Sequence, residues 1–338
     1  MAQFVSNASM NFSGFNLSIL FSSYGQFGFW DSINLVVDNT VVPGFEGTYF
    51  ASDIAALYNG SSPFSSYDYL ILAGDNLQFD SADIPLSGTF TGFYQLNPTG
   101  ESTAMAGFEL DMVEVYAAAQ TTSVADDRAI LNQMLSGDDR ILCSDFGDQV
   151  FGAAGHDLIV GEAGHDTLAG DGGDDSLLGG TGDDLLNGGA GADSLAGNSG
   201  ADTLLGGAGD DRLLGQAGAD RLQGGLGRDV IYGGSDSDRD VFVFVAVADS
   251  AADATRDAIY NFVSGTDDIH LGTIDADTAT GGNQSFGFSG QTAADNSVWY
   301  TVVSGNAVVR ADVTGDGIAD FSLRLVGVTS LSAGDFVL

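Results

Sequence analysis

Lysine is absent from this chain, and glutamate nearly so. Nine arginines stand against 42 aspartates and 5 glutamates, for a formal net charge of −38 over 338 residues. With no basic stripe to displace counterions from phosphate, nucleic acid is excluded as a partner. Anionic membrane surfaces are repelled for the same reason, whereas divalent cations are attracted. Cysteine occurs once, at Cys143, so no intramolecular disulfide is possible. That thiol is open to pairing between chains or to service as a small buried apolar residue. The three histidines, His156, His165 and His270, do not have the His-Glu-x-x-His spacing of a zincin. No Gly-x-Ser-x-Gly elbow occurs, which removes the lipase reading. There is no run of 18 apolar residues, so no membrane-spanning helix is expected. Residues 1–14 have neither a basic n-region nor an apolar h-region and do not read as a secretory signal peptide.

What is abundant is a repeat. Aspartate recurs every nine residues, twelve times: Asp139, Asp148, Asp157, Asp166, Asp175, Asp184, Asp193, Asp202, Asp211, Asp220, Asp229 and Asp238. The frame around it is Gly-Gly-x-Gly-x-Asp-x-(Leu/Ile)-x, complete in Gly188-Gly189-Ala190-Gly191-Ala192-Asp193-Ser194-Leu195-Ala196. Position four is glycine throughout the nine clean copies, at Gly155, Gly164, Gly173, Gly182, Gly191, Gly200, Gly209, Gly218 and Gly227. Glycine there admits a tight turn with positive φ. The turned backbone offers carbonyl oxygens and the aspartate a carboxylate, and an all-oxygen set in a flexible loop suits calcium. These aspartates and position-four glycines are the expected metal ligands. Position eight, Leu or Ile, marks a short strand with one inward side chain. A Gly/Asp-rich disordered linker would share the composition, but not the strict period of Leu and Ile.

These motifs resemble the repeat-in-toxin (RTX) nonapeptide family, whose repeats form a parallel β-roll. The resemblance implies that two nonapeptides complete one turn, that repeat i lies beside repeat i+2, and that calcium ions sit between neighbouring loops. It implies roughly seven to ten ions, depending on how many worn copies take part. Residues 137–240 carry 20 Asp and 1 Glu against 5 Arg, a net −16. One inward Leu per nine residues does not offset the entropy of ordering them. The segment is therefore expected to be disordered without calcium and ordered near millimolar calcium, binding and folding being one event.

Residues 241–338 resemble the C-terminal domain of serralysin-type secreted proteases. The resemblance is carried by Val241-Phe242-Val243-Phe244, by the stretch from Asp257 to Ile269, by the stretch from Asp312 to Phe321, and by the closing Asp335-Phe336-Val337-Leu338. That closing tetrad looks like the uncleaved signal of type I secretion in Gram-negative bacteria, implying an extracellular protein. Asp238-Arg239-Asp240 adds two residues at the junction with the repeats. Strands are predicted over 297–303 and 307–310, turned at Ser304-Gly305-Asn306, with a second turn at Thr314-Gly315-Asp316-Gly317 leading into 321–326. Asp312, Thr314 and Asp316 also fit the first half of an EF-hand loop, but position twelve is Leu323, so a β-turn is the default.

Residues 1–136 hold 21 of the 34 aromatics and no histidine, which argues against haem capture there. Strands are predicted at 67–72 and 88–94, a short helix from an Ser52 N-cap to Gly60, and a second helix over about 125–135 that would cap the roll. Glu101, Glu109, Asp111 and Glu114 could supply a glycosidase-type carboxylate pair in the aromatic-rich region.

The expected architecture is mainly β. An N-terminal β-rich domain (1–124) and a capping helix (125–136) precede the parallel β-roll (137–240) and a C-terminal antiparallel β module (241–338). The expected function is calcium-dependent adhesion or self-assembly outside the cell. Its partners would be calcium, the type I secretion machinery, and other copies of the chain or surface polysaccharide. The alternative is a polysaccharide-acting enzyme with carboxylate catalysis in the N-terminal domain.

Overall fold

A computed structural model describes the backbone of strands between residues 3 and 111, and residues 135–338 apart from 144, 253–255, 280 and 282. The chain divides into two compact units, Met1–Glu162 and Ala163–Leu338. Among the described residues there is no α-helix, and nearly all regular structure is strand.

In the first unit the strands are β1 (Gln3–Ser6), β2 (Gln26–Asp31), β3 (Asn34–Val37), β4 (Gly47–Phe50), β5 (Asp53–Tyr58), β6 (Tyr69–Phe79), β7 (Pro85–Leu96) and β8 (Ser102–Asp111). β2, β5, β6, β7, β8 and β1 pair in that order, each antiparallel to the next, and β3 pairs with β4. The segment expected to form a helix after Ser52 is instead strand β5. Ala55 and Ala56 face Leu72 and Ile71 of β6 and also pair with Phe29 and Gly28 of β2. Pairing on both edges overrides the helix preference of Ala-Ala-Leu. The expected strands at 67–72 and 88–94 fall on β6 and β7.

The first unit also holds β9 (Arg140–Leu142), β10 (Gln149–Phe151) and the start of β11 (Leu158–Ala163). β9 is paired in parallel on both sides, Ile141 aligning with Phe4 of β1 and with Ile159 of β11. The open edge of this first roll strand is thus covered by β1. The expected capping helix, 125–136, lies outside the described residues except for its last two, Leu135 and Ser136, which form a turn and a bend; Leu135 is fully buried.

The second unit opens with β12 (Thr167–Gly172), β13 (Ser176–Thr181), β14 (Leu185–Ala190), β15 (Ser194–Ser199), β16 (Thr203–Ala208), β17 (Arg212–Ala217), β18 (Arg221–Leu226) and β19 (Val230–Gly234). From β12 to β17, each pairs in parallel with the strand two ahead in a register of 18 residues: Leu168 with Leu186, Leu186 with Leu204, Leu177 with Leu195. Even and odd strands therefore form two separate sheets. Only position eight points inward between them, and Leu168, Leu177, Leu186, Leu195, Leu204, Leu213, Leu222 and Ile231 are all 0% exposed. The period of nine produces this directly, because two repeats bring the chain once around and stack like on like.

The roll does not stop at the last repeat. β20 (Val241–Val243), β21 (Ala258–Tyr260), β22 (Asp268–His270) and β27 (Phe336–Val337) extend both sheets in parallel. The inward column continues from Leu222 to Phe242, Ile269 and Phe336 in one sheet, and from Ile231 to Ile259 and Leu325 in the other. β24 (Ser297–Val303), β25 (Asn306–Ala311) and β26 (Phe321–Leu325) form the expected antiparallel meander, preceded by the short β23 (Gly287–Phe288). Phe244 packs edge-on against Phe321 with ring centroids 5.2 Å apart, filling the wider end of the core.

Candidate metal site: a ladder of buried carboxylates

Each repeat of the roll buries its position-six aspartate, so that every turn carries one in each sheet, and the backbone explains why. In one sheet, the Asp175, Asp193, Asp211 and Asp229 amides donate to Oδ1 of Asp193, Asp211, Asp229 and Asp257. In the other, the amides of Asp166, Asp184, Asp202, Asp220 and Asp240 donate to Oδ1 of Asp184, Asp202, Asp220, Asp240 and Asp267. Asp139 donates likewise to Asp157 at 2.7 Å, within the first unit. These bonds run 2.7–3.1 Å, so one carboxylate oxygen per repeat is consumed in holding the next turn.

The other oxygen is not consumed. Oδ2 of Asp184, Asp193, Asp202, Asp211, Asp220, Asp229 and Asp257 is buried with no hydrogen-bond partner. A buried, unsatisfied carboxylate oxygen is costly unless it is protonated or meets a cation. Burial first, and neighbouring aspartates after it, push the Asp211 and Asp220 carboxyls up to about 7. Asp202, Asp229 and Asp240 are raised to about 6 and Asp257 to about 8, again chiefly by burial.

Position one makes the space for this oxygen. A Cβ built on Gly188 would collide with Asp193 Oδ2 and lie 2.6 Å from the Gly206 carbonyl oxygen. Gly179 has the same relation to Asp184 and Gly197, and Gly215 to Asp220 and Gly233. The unpaired carboxylate oxygen thus shares its space with the position-one carbonyl of the next turn. The position-four glycines have a steric role as well, separate from the ligand role expected of their carbonyls. Gly191 has φ +138, its amide donates to the Ala208 carbonyl at 2.8 Å, and a Cβ there would run into the Gly173 carbonyl. Gly155, Gly164, Gly173, Gly182, Gly200, Gly209, Gly218 and Gly227 share that positive φ.

A second ladder lies outside the first. Oδ1 of Asp174 accepts from the Ala192 amide and Oδ1 of Asp183 from the Ala201 amide, both at 2.8 Å. At His165 the Asp183 amide donates to Nδ1 instead, also at 2.8 Å. His156 and His165 are both exposed, as their loop position implies.

The last expected ligand is displaced. Asp238 is exposed and its amide bonds Asp236. Its rung is taken by Asp240, which is 3% exposed and accepts from Asp220. The two additional residues are absorbed in the turn, and the frame resumes with Asp240 at position six and Phe242 at position eight. The two further rungs, Asp257 and Asp267, lie beyond the repeats, in a stretch that has no nonapeptide frame. At the worn N-terminal end, Asp148 is buried at 3%.

Other acidic positions are spent locally. Asp312 is 0% exposed and accepts from the amides of Thr314, Gly315 and Gly317 at 3.0, 2.8 and 2.8 Å, bonds that hold its carboxyl below the usual range against the opposing effect of burial. This is a side-chain-capped β-turn. Asp335, also 0% exposed, accepts from the Gly265 amide and the Ser264 hydroxyl at 2.7 and 2.9 Å. Glu109 and Asp111 lie on β8, while Glu101 and Glu114 are outside the described residues. Cys143 is buried at 4%. Among the described residues no three His, Cys, Asp or Glu side chains converge to hold a metal. A ladder that combines one carboxylate per repeat with backbone oxygens forms no such cluster.

The family comparison agrees with this geometry. The RTX calcium-binding nonapeptide repeat family matches residues 135–168, 144–177, 169–204, 178–213 and 205–240. Residues 135–240 therefore carry RTX calcium-binding nonapeptide repeats, and the strands of these repeats stack in parallel as a β-roll. Among solved structures, an AlgE6R3 subunit of the Azotobacter vinelandii mannuronan C5-epimerase is 19% identical, with TM-score 0.26, over 60% of this chain and 78% of that one. The extracellular lipase LipA of Serratia marcescens is 18% identical, with TM-score 0.25, over 60% of this chain and 40% of that one. No curated protein matches the chain.

Proposed function

We propose that the protein is a calcium-gated extracellular module whose roll orders on calcium and then serves adhesion or self-assembly. The observation that carries this reading is the row of buried, unpartnered Oδ2 atoms from Asp184 to Asp229. Calcium prefers six to eight oxygen ligands in flexible loops, and this row supplies carboxylate oxygens beside backbone carbonyls. Asp184, Asp193, Asp202, Asp211, Asp220, Asp229 and Asp240 would hold the ions, with Gly197, Gly206, Gly224 and Gly233 giving carbonyls. The ions would supply positive charge between turns. The chain's own residues do the rest: Oδ1 sets the register, position-one glycine keeps the space open, and Leu at position eight closes the core.

The gating follows from charge. Residues 137–240 carry a net −16, and bringing those aspartates into a stack without cations is unfavourable. A compartment poor in calcium would keep the segment unfolded for export by a type I system, and calcium outside, in roughly the 10⁻⁴–10⁻³ M range, would fold it. A stacked roll presents a long repetitive face, the geometry that solenoids use for extended contacts. Circular dichroism of the purified protein, with and without calcium, tests the gating: a gain of β signal on calcium is expected, and superimposable spectra would refute it. Electron microscopy of the same samples tests assembly; filaments or sheets that appear only with calcium are expected.

A further inference from the structure

The second unit holds an open cleft of about 640 Å³, lined by basic, polar and apolar side chains. Three of the chain's nine arginines, Arg228, Arg256 and Arg324, converge on it. The topology explains the convergence. Val230, Ala258 and Arg324 lie in one row across β19, β21 and β26, and Arg228 and Arg256 each stand two residues before their strand's member of that row. Arg212 continues the row on β17 beside Val230. The only acid in the lining is Asp229, which is 0% exposed and turned into the carboxylate ladder.

In a protein of net charge −38 with no lysine, such a cleft is a local reversal of sign. Arg228 is partly compensated by an exposed ion pair with Asp210 at 3.2 Å. Arg310, on the neighbouring strand, is held below the usual guanidinium range first by burial and then by the positive charge of Arg256. Positive charges crowd this end of the sheet. The remaining walls are of two kinds. Ser304, at the β24–β25 turn, offers a hydroxyl; Asn306 beside it accepts from the Gly327 amide at 2.9 Å and donates to the Ser304 carbonyl at 3.3 Å, which leaves its second N–H; and Val303 and Val308 offer apolar surface.

We propose that this cleft binds an acidic sugar, a uronate unit of a polysaccharide. The arginines would take the carboxylate through forked hydrogen bonds, Ser304 and Asn306 the ring hydroxyls, and Val303 and Val308 the C–H face of the ring. This assignment gives the adhesive reading its ligand class but rests on the cleft alone. Its failure and that of calcium gating are therefore separable, because gating is read by circular dichroism without any sugar.

The test is isothermal titration calorimetry of the full chain in saturating calcium with trigalacturonate, against maltotriose and inorganic sulfate. Trigalacturonate is expected to bind and maltotriose not to. Arg324→Gln and Arg256→Gln should each weaken binding by about tenfold or more, since each removes a forked partner. Arg324→Lys, which keeps the charge and loses the fork, should fall between wild type and Arg324→Gln. Arg221→Gln, on the other sheet, should bind as wild type does. If Arg256→Gln disturbs the folded spectrum, the Arg324 pair alone decides. No binding of trigalacturonate, or equal binding by wild type and Arg324→Gln, would overturn the proposal. Sulfate binding as tightly as the trisaccharide would overturn it too, reducing the cleft to a general anion site.

Discussion

The amide of Asp193 donates to Asp211 Oδ1 at 2.8 Å across 18 residues of sequence, while Asp211 Oδ2 stays buried with no hydrogen-bond partner. One carboxylate thus has two fates, register on one oxygen and an unmet demand for positive charge on the other. Replacing Asp211 by Asn separates them. The amide oxygen still accepts from Asp193, but the charge is lost and an NH2 group stands beside the Gly224 carbonyl. We expect the calcium concentration for half-maximal folding to rise by about tenfold, loss of a charged ligand being worth ~1.5–3 kcal/mol. A calcium titration followed by circular dichroism checks this; an unchanged midpoint would remove Asp211 from the site.

Asp240 and Asp238 give a paired comparison two residues apart. Asp240 is buried and accepts from the Asp220 amide, whereas Asp238 is exposed and lies off the ladder. Asp240→Asn should shift the calcium midpoint upward by several-fold, and Asp238→Asn should leave it within error. The reverse order, measured by the same titration, would show that the regular nine-residue frame governs the junction.

Gly197 carries a steric prediction. Its Cβ would meet Asp202 Oδ2 and sit 2.9 Å from Asp202 Cβ. Gly197→Ala should destabilise the calcium-loaded roll by ~1–3 kcal/mol through overpacking and should raise the calcium midpoint. Urea unfolding at fixed calcium measures the first effect and calcium titration the second. A variant as stable as wild type would mean that the cradle is not occupied by the carboxylate.

The raised carboxyls set a pH dependence with a definite sign. Asp211 and Asp220 stand near about 7 in the folded roll, against 3.8 for the ordinary side chain. A group raised on folding contributes stability that is complete below the unfolded value and lost as pH rises through the folded one. Without calcium, the roll should therefore gain β structure as pH falls from 8 toward 5. With calcium, protons compete for the same oxygens, so the midpoint should rise over the same interval. Circular dichroism in calcium-stripped buffers, with a calcium titration at each pH, reads both trends. Calcium-free spectra that lose β structure on acidification would contradict the burial that raises these groups.

How far the sequence goes can be traced residue by residue. Leu168 through Ile231 announce a regular strand repeat with one inward side chain every nine residues, and the RTX resemblance adds the two-repeat turn. Asp184 to Asp229 announce the ladder in the same way. The junction fails this reasoning: counting forward by nine arrives at Asp238, while counting back from the inward Phe242 arrives at Asp240. Asp257 and Asp267 join the ladder 28 and 27 residues after their partners, across a stretch that has no nonapeptide frame. β5 reads as helix because Ala-Ala-Leu favours it locally, and only pairing with β2 and β6 reverses that preference. The space-making role of the position-one glycines needs the neighbouring turn, as does the meeting of Arg228, Arg256 and Arg324.

The most direct measurement is an anomalous difference map from crystals of the calcium-loaded protein, collected where calcium scatters anomalously. Peaks are expected between successive turns, roughly 2.3–2.6 Å from the Oδ2 atoms of Asp184 through Asp229. An intact roll with no peak beside those oxygens would contradict the assignment of the carboxylate ladder to calcium.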